Sequence, residues 1–469
     1  MCQPSSIVIV GFHPLHFALT NLPSSSKLVG AVSVTRGPGA FAQVSMAEVG
    51  KSLNPAEMGK GRRASAWSPI REPLFRSLWI AAVISYTGSW MQNVGAGWLM
   101  TSLTISPLMV SLVQAASSLP VFLVILPAGA LADIVDRRRL LIATQSWMVL
   151  AALLLGVLTL FDRITPWTLL GFTFLLGVGA VMNDPAWQAI TPDVVSRESF
   201  HAAVALNSAG YNVARAIGPA LGGLIIATAG SGIVFLINAI SFFGVILFLY
   251  RWKQSPRHAP VTGRRVMPAI RIGFQFLRQA PAVQAVLVRT AVFSFSASAL
   301  LALLPVVARP FGSVGYGGML AFFGLGALAG AAMLPACRSV VSVNAMVAWA
   351  TIFYAAAIYA AGALASFLLL SAVLLVAGMA WIVIVASLNV SAQTTSPAWV
   401  RARMLSMYVL VLQGGMAAGS ATWGALAARF GFGTSMMTAA IALVAGLVSA
   451  RRFRLEVGSI DIPTPVEAA

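Results

Sequence analysis

The stretch Gly129-Ala-Leu-Ala-Asp-Ile-Val-Asp-Arg-Arg-Arg139 lies between two long apolar segments and decides the fold. The segments 108–132 and 140–161 carry no charge, and each is long enough to cross the hydrocarbon core of a bilayer as a helix. The stretch itself holds two aspartates and three arginines and must lie in water. Arginines concentrate in loops on the cytoplasmic side of a membrane. We call residues 129–139 the charged loop and predict that it joins two membrane spans in the cytoplasm.

The composition of the whole chain agrees with a membrane protein. Of its 469 residues 59% are hydrophobic and only 9% are charged, which excludes an ordinary water-soluble globular protein. The net charge of +18 would also suit a protein that binds nucleic acid. However, the basic residues lie in loops between apolar segments, where they meet anionic lipid headgroups. We therefore expect the lipid bilayer, and no nucleic acid, as a partner.

Other classes of site find little support in the sequence. Cys2 and Cys337 cannot form a disulfide framework, and the four histidines are scattered, so we expect neither a metal nor another cofactor. No catalytic set of residues is apparent, so an enzyme is not expected. The chain has no Gly-x-x-x-x-Gly-Lys-Ser/Thr stretch, which excludes an ATP-driven pump formed by this chain alone.

Apolar segments recur along the chain and predict an all-α membrane protein with twelve transmembrane helices in two six-helix halves. The predicted spans are 78–103, 108–132, 140–161, 167–188, 203–229, 232–252, 283–307, 315–336, 341–360, 363–390, 403–427 and 432–450. The predicted domains are a disordered cytoplasmic tail 1–72, a first half 73–252, a linker 253–282, a second half 283–450 and a tail 451–469. The basic linker forms either a helix on the inner membrane surface or a solvated connection.

Loop charges predict the orientation. The charged loop, the segment 251–278 and both tails are rich in arginine, and all lie on one side of the predicted membrane. In the loops on the other side the only basic residues are Arg163, Arg309 and Arg429. Both termini are therefore expected in the cytoplasm of a multi-pass protein of the cell membrane.

The charged loop resembles the signature loop between the second and third helices of the major facilitator superfamily. The matching residues are Gly129, Leu131, Ala132, Asp133, Arg137 and Arg138. The resemblance implies that Asp133 meets the start of the eleventh span, near Arg401 and Arg403, and that this contact gates the two halves. The alternative is a charged topological anchor. The second-half counterpart, 330–338, has Leu334 where the aspartate would be.

The fifth predicted span resembles a motif of proton-coupled drug antiporters. Gly218, Pro219, Gly222 and Gly223 match it, whereas Ala214 replaces a glycine. Proline bends a helix and glycines let a neighbouring helix approach, so the motif serves either conformational change or packing alone. The wider segment 182–223 resembles the transmembrane secretion effector branch, which includes the enterobactin exporter. That resemblance implies ion-coupled export of a small organic molecule.

Polar and aromatic residues inside the spans are candidates for a substrate cavity. They are Trp90, Gln92, Asn93, Trp98, Gln114, Asn207, Asn212 and Gln413. For any single polar residue in this set, a hydrogen bond between helices is the alternative.

Charges inside the spans are few, and no Asp or Glu lies in the middle of one. Arg215 lies well inside the fifth span, where an uncompensated charge is costly, and Asp184 lies at a similar depth in the fourth. We expect the two to pair. Arg137 competes for Asp184, and Arg215 is also suited to bind an anionic substrate. A proton is the expected coupling ion.

These observations favour a monomeric secondary active transporter that exports a small organic molecule, such as a drug-like compound, a siderophore or a metabolite. An importer or facilitator on the same fold is the alternative, because a fold does not determine the direction of transport. A membrane receptor or scaffold that transports nothing is a third.

Overall fold

The computed structural model describes residues 67–196, 198–252, 280–397 and 400–455. Within its helices the side chains at 126, 129, 130, 132–134, 189, 450 and 451 lie outside the description. The predicted N-terminal tail up to residue 66, most of the linker and the C-terminal tail from residue 456 also lie outside it.

The described residues are almost entirely helical. The helices are α1 Pro73–Leu103, α2 Pro107–Ile134, α3 Arg137–Leu160, α4 Pro166–Val194, the continuous helix Phe200–Arg251, α7 Pro281–Val307, α8 Gly312–Val340, α9 Val343–Ala363, α10 Phe367–Thr394, α11 Arg401–Phe430 and α12 Phe432–Ala445. A 3-10 turn and a short helix continue α12 to Arg452.

The continuous helix Phe200–Arg251 bends sharply at Gly230. This glycine has a φ of 79°, a backbone conformation that residues with a Cβ rarely adopt. We call the arms 200–229 and 231–251 α5 and α6. The break predicted between 229 and 232 is thereby confirmed.

Helix boundaries follow local chemistry, with one notable departure from the prediction. Four helices, α1, α2, α4 and α7, begin with proline. Proline is suited to this position because an N–H in the first turn would have no partner within the helix. Asp136 caps α3 by accepting a hydrogen bond from the Arg139 backbone N–H at 2.9 Å. The apolar span of α4 ends at Gln188, as predicted, but the helix itself continues through Pro192 to Val194.

Nine helices in the described residues are long and apolar enough to cross a membrane. Phe200–Arg251 counts once among them, although it contains two arms. α1 and the shorter α12 are not among the nine. An all-α membrane protein is confirmed, and the number of twelve crossings stays a prediction.

The helices pack as two groups, α1–α6 and α7–α12. The groups join where α2 packs against α11 and where α5 packs against α8. We call the end of the bundle that holds the first residues of α1 and the last of α6 the near end, and the opposite one the far end. At the near end, Leu141 and Ile190 belong to a cluster of buried apolar side chains. That cluster consists of residues from the first group.

Candidate functional site

The Arg215 side chain lies at the seam between the two halves. Its guanidinium carbon is 5.8 Å from the ring centroid of Trp90 on α1 and 5.9 Å from that of Phe323 on α8. A guanidinium at this distance from a ring is attracted by the negative face of the π-system. One cation therefore contacts an aromatic ring from each half.

Further aromatic rings extend this contact into both halves. In the first half Tyr211 lies 5.3 Å from Tyr86 and 6.2 Å from Trp90, measured between ring centroids. In the second half Trp381 lies 6.3 Å from Phe323 and 5.9 Å from Tyr354. We call these six rings the aromatic row. The first-half rings are half-buried and the second-half rings are buried, so the accessible side of the row belongs to the first half.

Tyr211 links the two charges that the sequence predicted to pair. It interacts electrostatically with both Asp184 and Arg215. Asp184 is exposed and also interacts with Tyr86. The direct ion pair of Asp184 with Arg215 is not among the contacts that the structure gives for Arg215, whose recorded neighbours are aromatic rings. Tyr211 is thus close enough to both charges for each to influence it.

Several cavity candidates make hydrogen bonds within the first half. Gln92 is buried, and its side-chain oxygen accepts from the Asn238 amide on α6. Asn207 on α5 donates to the Thr191 hydroxyl on α4 at 3.5 Å. These bonds join neighbouring helices, which is the alternative that the sequence left open for them.

Two further candidates bond within their own helices. Gln114 donates to the Ser118 hydroxyl at 3.2 Å, and Asn212 donates to the Ser208 carbonyl at 2.8 Å. Gln413 is half-buried in α11.

Asn93 and Trp98 differ from the other candidates. Asn93 is exposed and follows Trp90 by three residues, so it lies on the helix face that carries the aromatic row. Trp98 stacks on Tyr316 of α8, with centroids 6.3 Å apart. Asn93 is therefore the polar candidate best placed to meet a substrate beside Arg215.

The glycines of α5 allow its neighbours to approach closely. A Cβ at Gly218 would lie 2.6 Å from the Trp90 Cβ, and one at Gly222 would lie 3.0 Å from the Met91 Cα, so both face α1. A Cβ at Gly223 would lie 2.5 Å from the Ser313 carbonyl oxygen and 3.1 Å from the Gly317 Cα on α8. A Cβ at Gly317 would in turn meet the carbonyl of Pro219. The sequence analysis overlooked Gly317, because no motif marks it.

The two halves also meet at the far end. Arg309, before α8, donates to the Thr104 carbonyl after α1 at 2.9 Å. A Cβ at Gly97 would lie 2.7 Å from the Tyr316 hydroxyl. Gly424 on α11 packs against Ser111 on α2, which is fully buried. The bundle is closed at this end.

Most of the predicted charged loop is helical, since residues 129–134 belong to α2 and 137–139 to α3, and only Val135 and Asp136 lie between them. Arg138 donates from Nε to the Leu249 carbonyl at 2.7 Å and from Nη2 to the Tyr250 carbonyl at 3.1 Å, which caps the end of α6. Arg137 and Arg401 are exposed, and Arg403 is half-buried. The side chain of Asp133 and the surroundings of Gly129 lie outside the described residues, so the Asp133 gate stays a prediction.

The second-half counterpart of the charged loop is built differently. Leu334 is buried and packs with Met346 and Ala386. An aspartate would be unfavourable in this apolar cluster. In the described residues no group of three or more His, Cys, Asp or Glu side chains is placed to hold a metal ion.

Comparison with known proteins places this geometry in a family. A family model described as transmembrane secretion effector matches residues 64–465. The chain is 30% identical over 189 residues to the staphyloferrin A transporter of Staphylococcus aureus, covering 40% of this chain and 48% of that protein. It is 28% identical over 223 residues to the multidrug efflux pump Tap of Mycolicibacterium fortuitum, covering 46% and 54%. The chain thus matches about half the length of these two relatives.

A longer match is with the enterobactin exporter of Escherichia coli O1:K1 / APEC, at 26% identity over 399 residues, or 81% of this chain and 94% of that one. Among solved structures, an inward-facing bacterial homologue of the human lysosomal transporter Spinster superposes with a TM-score of 0.64 at 14% identity. That match covers 82% of this chain and 96% of the other. At this identity it establishes a common fold alone.

Proposed function

Because the chain belongs to the transmembrane secretion effector family of major facilitator transporters, we propose that it exports a small organic molecule from the cytoplasm by alternating access. The substrate class that we propose is an organic anion with aromatic or other apolar surface. Relatives described as a staphyloferrin A transporter and an enterobactin exporter support siderophores or similar metabolites as members of that class.

The observation that carries this proposal is the position of Arg215 between Trp90 and Phe323. Cation–π contacts of an arginine contribute about 0.5–2 kcal/mol each. A carboxylate or phosphate forms shorter, charge-assisted hydrogen bonds with a guanidinium, often two at once. An anionic substrate is therefore able to compete with the rings for Arg215, while the rings supply a surface for its apolar part.

Substrate binding at Arg215 would act on both halves at once. Trp90 belongs to α1 and Phe323 to α8, so displacing the guanidinium changes a contact that spans the seam. The small residues where α5 crosses α8 provide a surface along which the halves can reorient. This arrangement supports a rocker-switch movement between two conformations of the halves. A ligand shifts the equilibrium between these conformations when it binds one more tightly than the other.

The direction of export rests on the predicted orientation. If the near end faces the cytoplasm, the contacts at the far end close the outer side of the bundle, as the loading of a cytoplasmic substrate requires. Asp184 offers a proton-coupling group, since it is exposed and interacts with Tyr211, which also interacts with Arg215. Protonation of Asp184 would alter the electrostatic field at Arg215.

The test is export of anionic and cationic dyes and drugs from cells that express the chain, beside cells that lack it. We expect anionic compounds to be exported and Arg215→Gln to reduce that export at least about tenfold, with unchanged protein in the membrane. Arg215→Lys keeps the positive charge but lacks the planar set of N–H donors of a guanidinium. This variant should retain only part of the activity. The control is Arg429→Gln, which removes an exposed arginine.

Full export by the Arg215→Gln variant, or export of cations alone, would contradict the proposed site. Uptake on the same fold is the second candidate. Proteoliposomes with the protein in defined orientations, loaded on one side or the other, separate it from export.

A further inference from the structure

Arg289 is a second arginine within a span, but unlike the half-buried Arg215 it is buried. It lies eight residues into α7 from the near end, and only 6% of its surface is exposed. Burying a guanidinium in this region is costly unless other groups compensate its charge and satisfy its N–H groups.

The recorded hydrogen-bond partner of Arg289 is neutral. Its Nη1 donates to the Asn344 side-chain oxygen at 2.8 Å. The same oxygen accepts from the Leu455 backbone N–H at 3.0 Å, while the Asn344 amide donates to the Leu455 carbonyl at 2.8 Å. A carbonyl oxygen has two lone pairs and a guanidinium has five N–H donors, so Asn344 cannot satisfy Arg289 alone.

The sequence provides no countercharge within this half. Residues 199–455 contain no Asp or Glu at all, and that range includes every residue of α7 to α12. The helices α7 to α12 therefore offer no carboxylate to compensate the positive charge of Arg289.

Arg289 lines a small cavity among α7, α9, α10 and the end of α12. Its volume is about 20 Å³, counted as the space open to the centre of a water-sized particle. A single water occupies about 10–15 Å³ of a cavity. Besides Arg289, the polar residues that line the cavity are Thr351 and Ser449, and the rest of its wall is mostly aliphatic.

The hydroxyls of the cavity wall leave oxygen lone pairs but little donor capacity. Thr351 donates to the Val347 carbonyl at 2.7 Å, and Ser449 donates to the Gly446 carbonyl at 2.5 Å. Among the residues that line the cavity, Arg289 is the one whose side chain has further donors. A cavity of this size with a buried cation as its donor matches one small anion better than an organic ligand.

We propose that Arg289 and this cavity bind a single inorganic anion of halide size, which compensates the buried guanidinium and stabilises the second half. The site is separate from the aromatic row and does not depend on what the protein exports. Glu456, which follows Leu455 in the sequence, is the competing source of negative charge.

The test uses the purified full-length chain in detergent, with chloride as the ligand. Thermal unfolding is followed by tryptophan fluorescence while sodium gluconate is replaced by sodium chloride at constant ionic strength. We expect the midpoint temperature of unfolding to rise by about 2 °C or more and to reach a plateau as the chloride concentration increases. The reason is that an anion that binds only the folded state stabilises it. Arg289→Met should abolish this rise, and Arg454→Met, which removes an exposed arginine nearby, should keep it.

Two further measurements apply even if Arg289→Met does not fold. Thr351→Leu should narrow the cavity without removing the charge, and it should weaken the chloride response. The wild-type protein should broaden the chloride-35 NMR line, and bromide should reverse the broadening. A response that is linear in chloride and equal in all variants would overturn the site. A chloride response that is absent from the wild type and appears only in the Glu456→Gln variant would also overturn the site. In that case the tail carboxylate would be the resident anion.

Discussion

At the scale of single residues, the structure compensates its arginines with different chemistry. Arg215 contacts aromatic rings, Arg289 contacts an amide, and Arg138 contacts the backbone carbonyls of Leu249 and Tyr250. The last four carbonyls of a helix have no partners within it and carry partial negative charge, so a cation there is favourable. Arg138 thus ties the charged loop to the end of α6.

We predict that Arg138→Met lowers the stability of the protein by about 1 kcal/mol, because two charge-assisted hydrogen bonds to the α6 carbonyls are lost. The measurement is the thermal midpoint of the purified protein. Arg139→Met is the matched control, because Arg139 is exposed and its recorded hydrogen bond uses only its backbone N–H. Equal midpoints for the two variants would mean that the cap contributes nothing measurable.

At the scale of elements, the crossing of α5 and α8 depends on residues without side chains. Gly223 faces the backbone of Ser313 and Gly317, and Gly324 of α8 faces the backbone of Arg215 and Ala216. Backbone atoms cannot move aside as a flexible side chain can. A methyl group in this crossing must therefore push the helices apart.

We predict that Gly223→Ala loosens the far end and reduces transport. A cysteine at Ser111, which is fully buried where α2 meets α11, reports the loosening through its reaction with an impermeant thiol reagent. The reaction should be slow in the parent and faster with Gly223→Ala. Gly244→Ala is the control, since a Cβ at Gly244 would meet nothing within 4 Å. Unchanged labelling and full transport with Gly223→Ala would contradict a close-packed crossing that matters for function.

At the scale of the whole molecule, two groups of helices enclose a seam that is closed at one end. The contacts of Arg309 with Thr104 and of Trp98 with Tyr316 all lie at the far end. Whether this state faces inward depends on the orientation in the membrane. The excess of arginines in the near-end loops predicts that the near end is cytoplasmic.

We predict that cysteines at Arg163 and Arg429, both exposed at the far end, react with an impermeant thiol reagent in intact cells. Cysteines at Arg139 and Arg452, exposed at the near end, should react only after the membrane is permeabilised. Cys2 and Cys337 are replaced beforehand in all variants. Labelling of the near-end positions in intact cells would reverse the orientation and, with it, the proposed direction of transport.

The class of the protein could be predicted from its sequence. Apolar segments of spanning length and clustered arginines are local properties, so an all-α membrane fold could be predicted from them without any contact being known. The charged loop and the glycine-proline motif likewise identified the superfamily. The same patterns located the membrane spans, but not the continuation of α4 to Val194, because a helix can extend beyond the apolar segment that crosses the membrane.

The residues of the candidate site could be grouped only from their positions in the folded protein. Gln92 and Asn93 are adjacent and chemically similar, yet Gln92 bonds to Asn238 within the first half while Asn93 is exposed beside the aromatic row. Arg215 lies between Trp90 and Phe323, which are more than 100 positions away from it in the sequence on either side. The reason is physical: hydropathy shows that a segment enters the membrane, but the rotation of each helix is set by packing against all its neighbours at once.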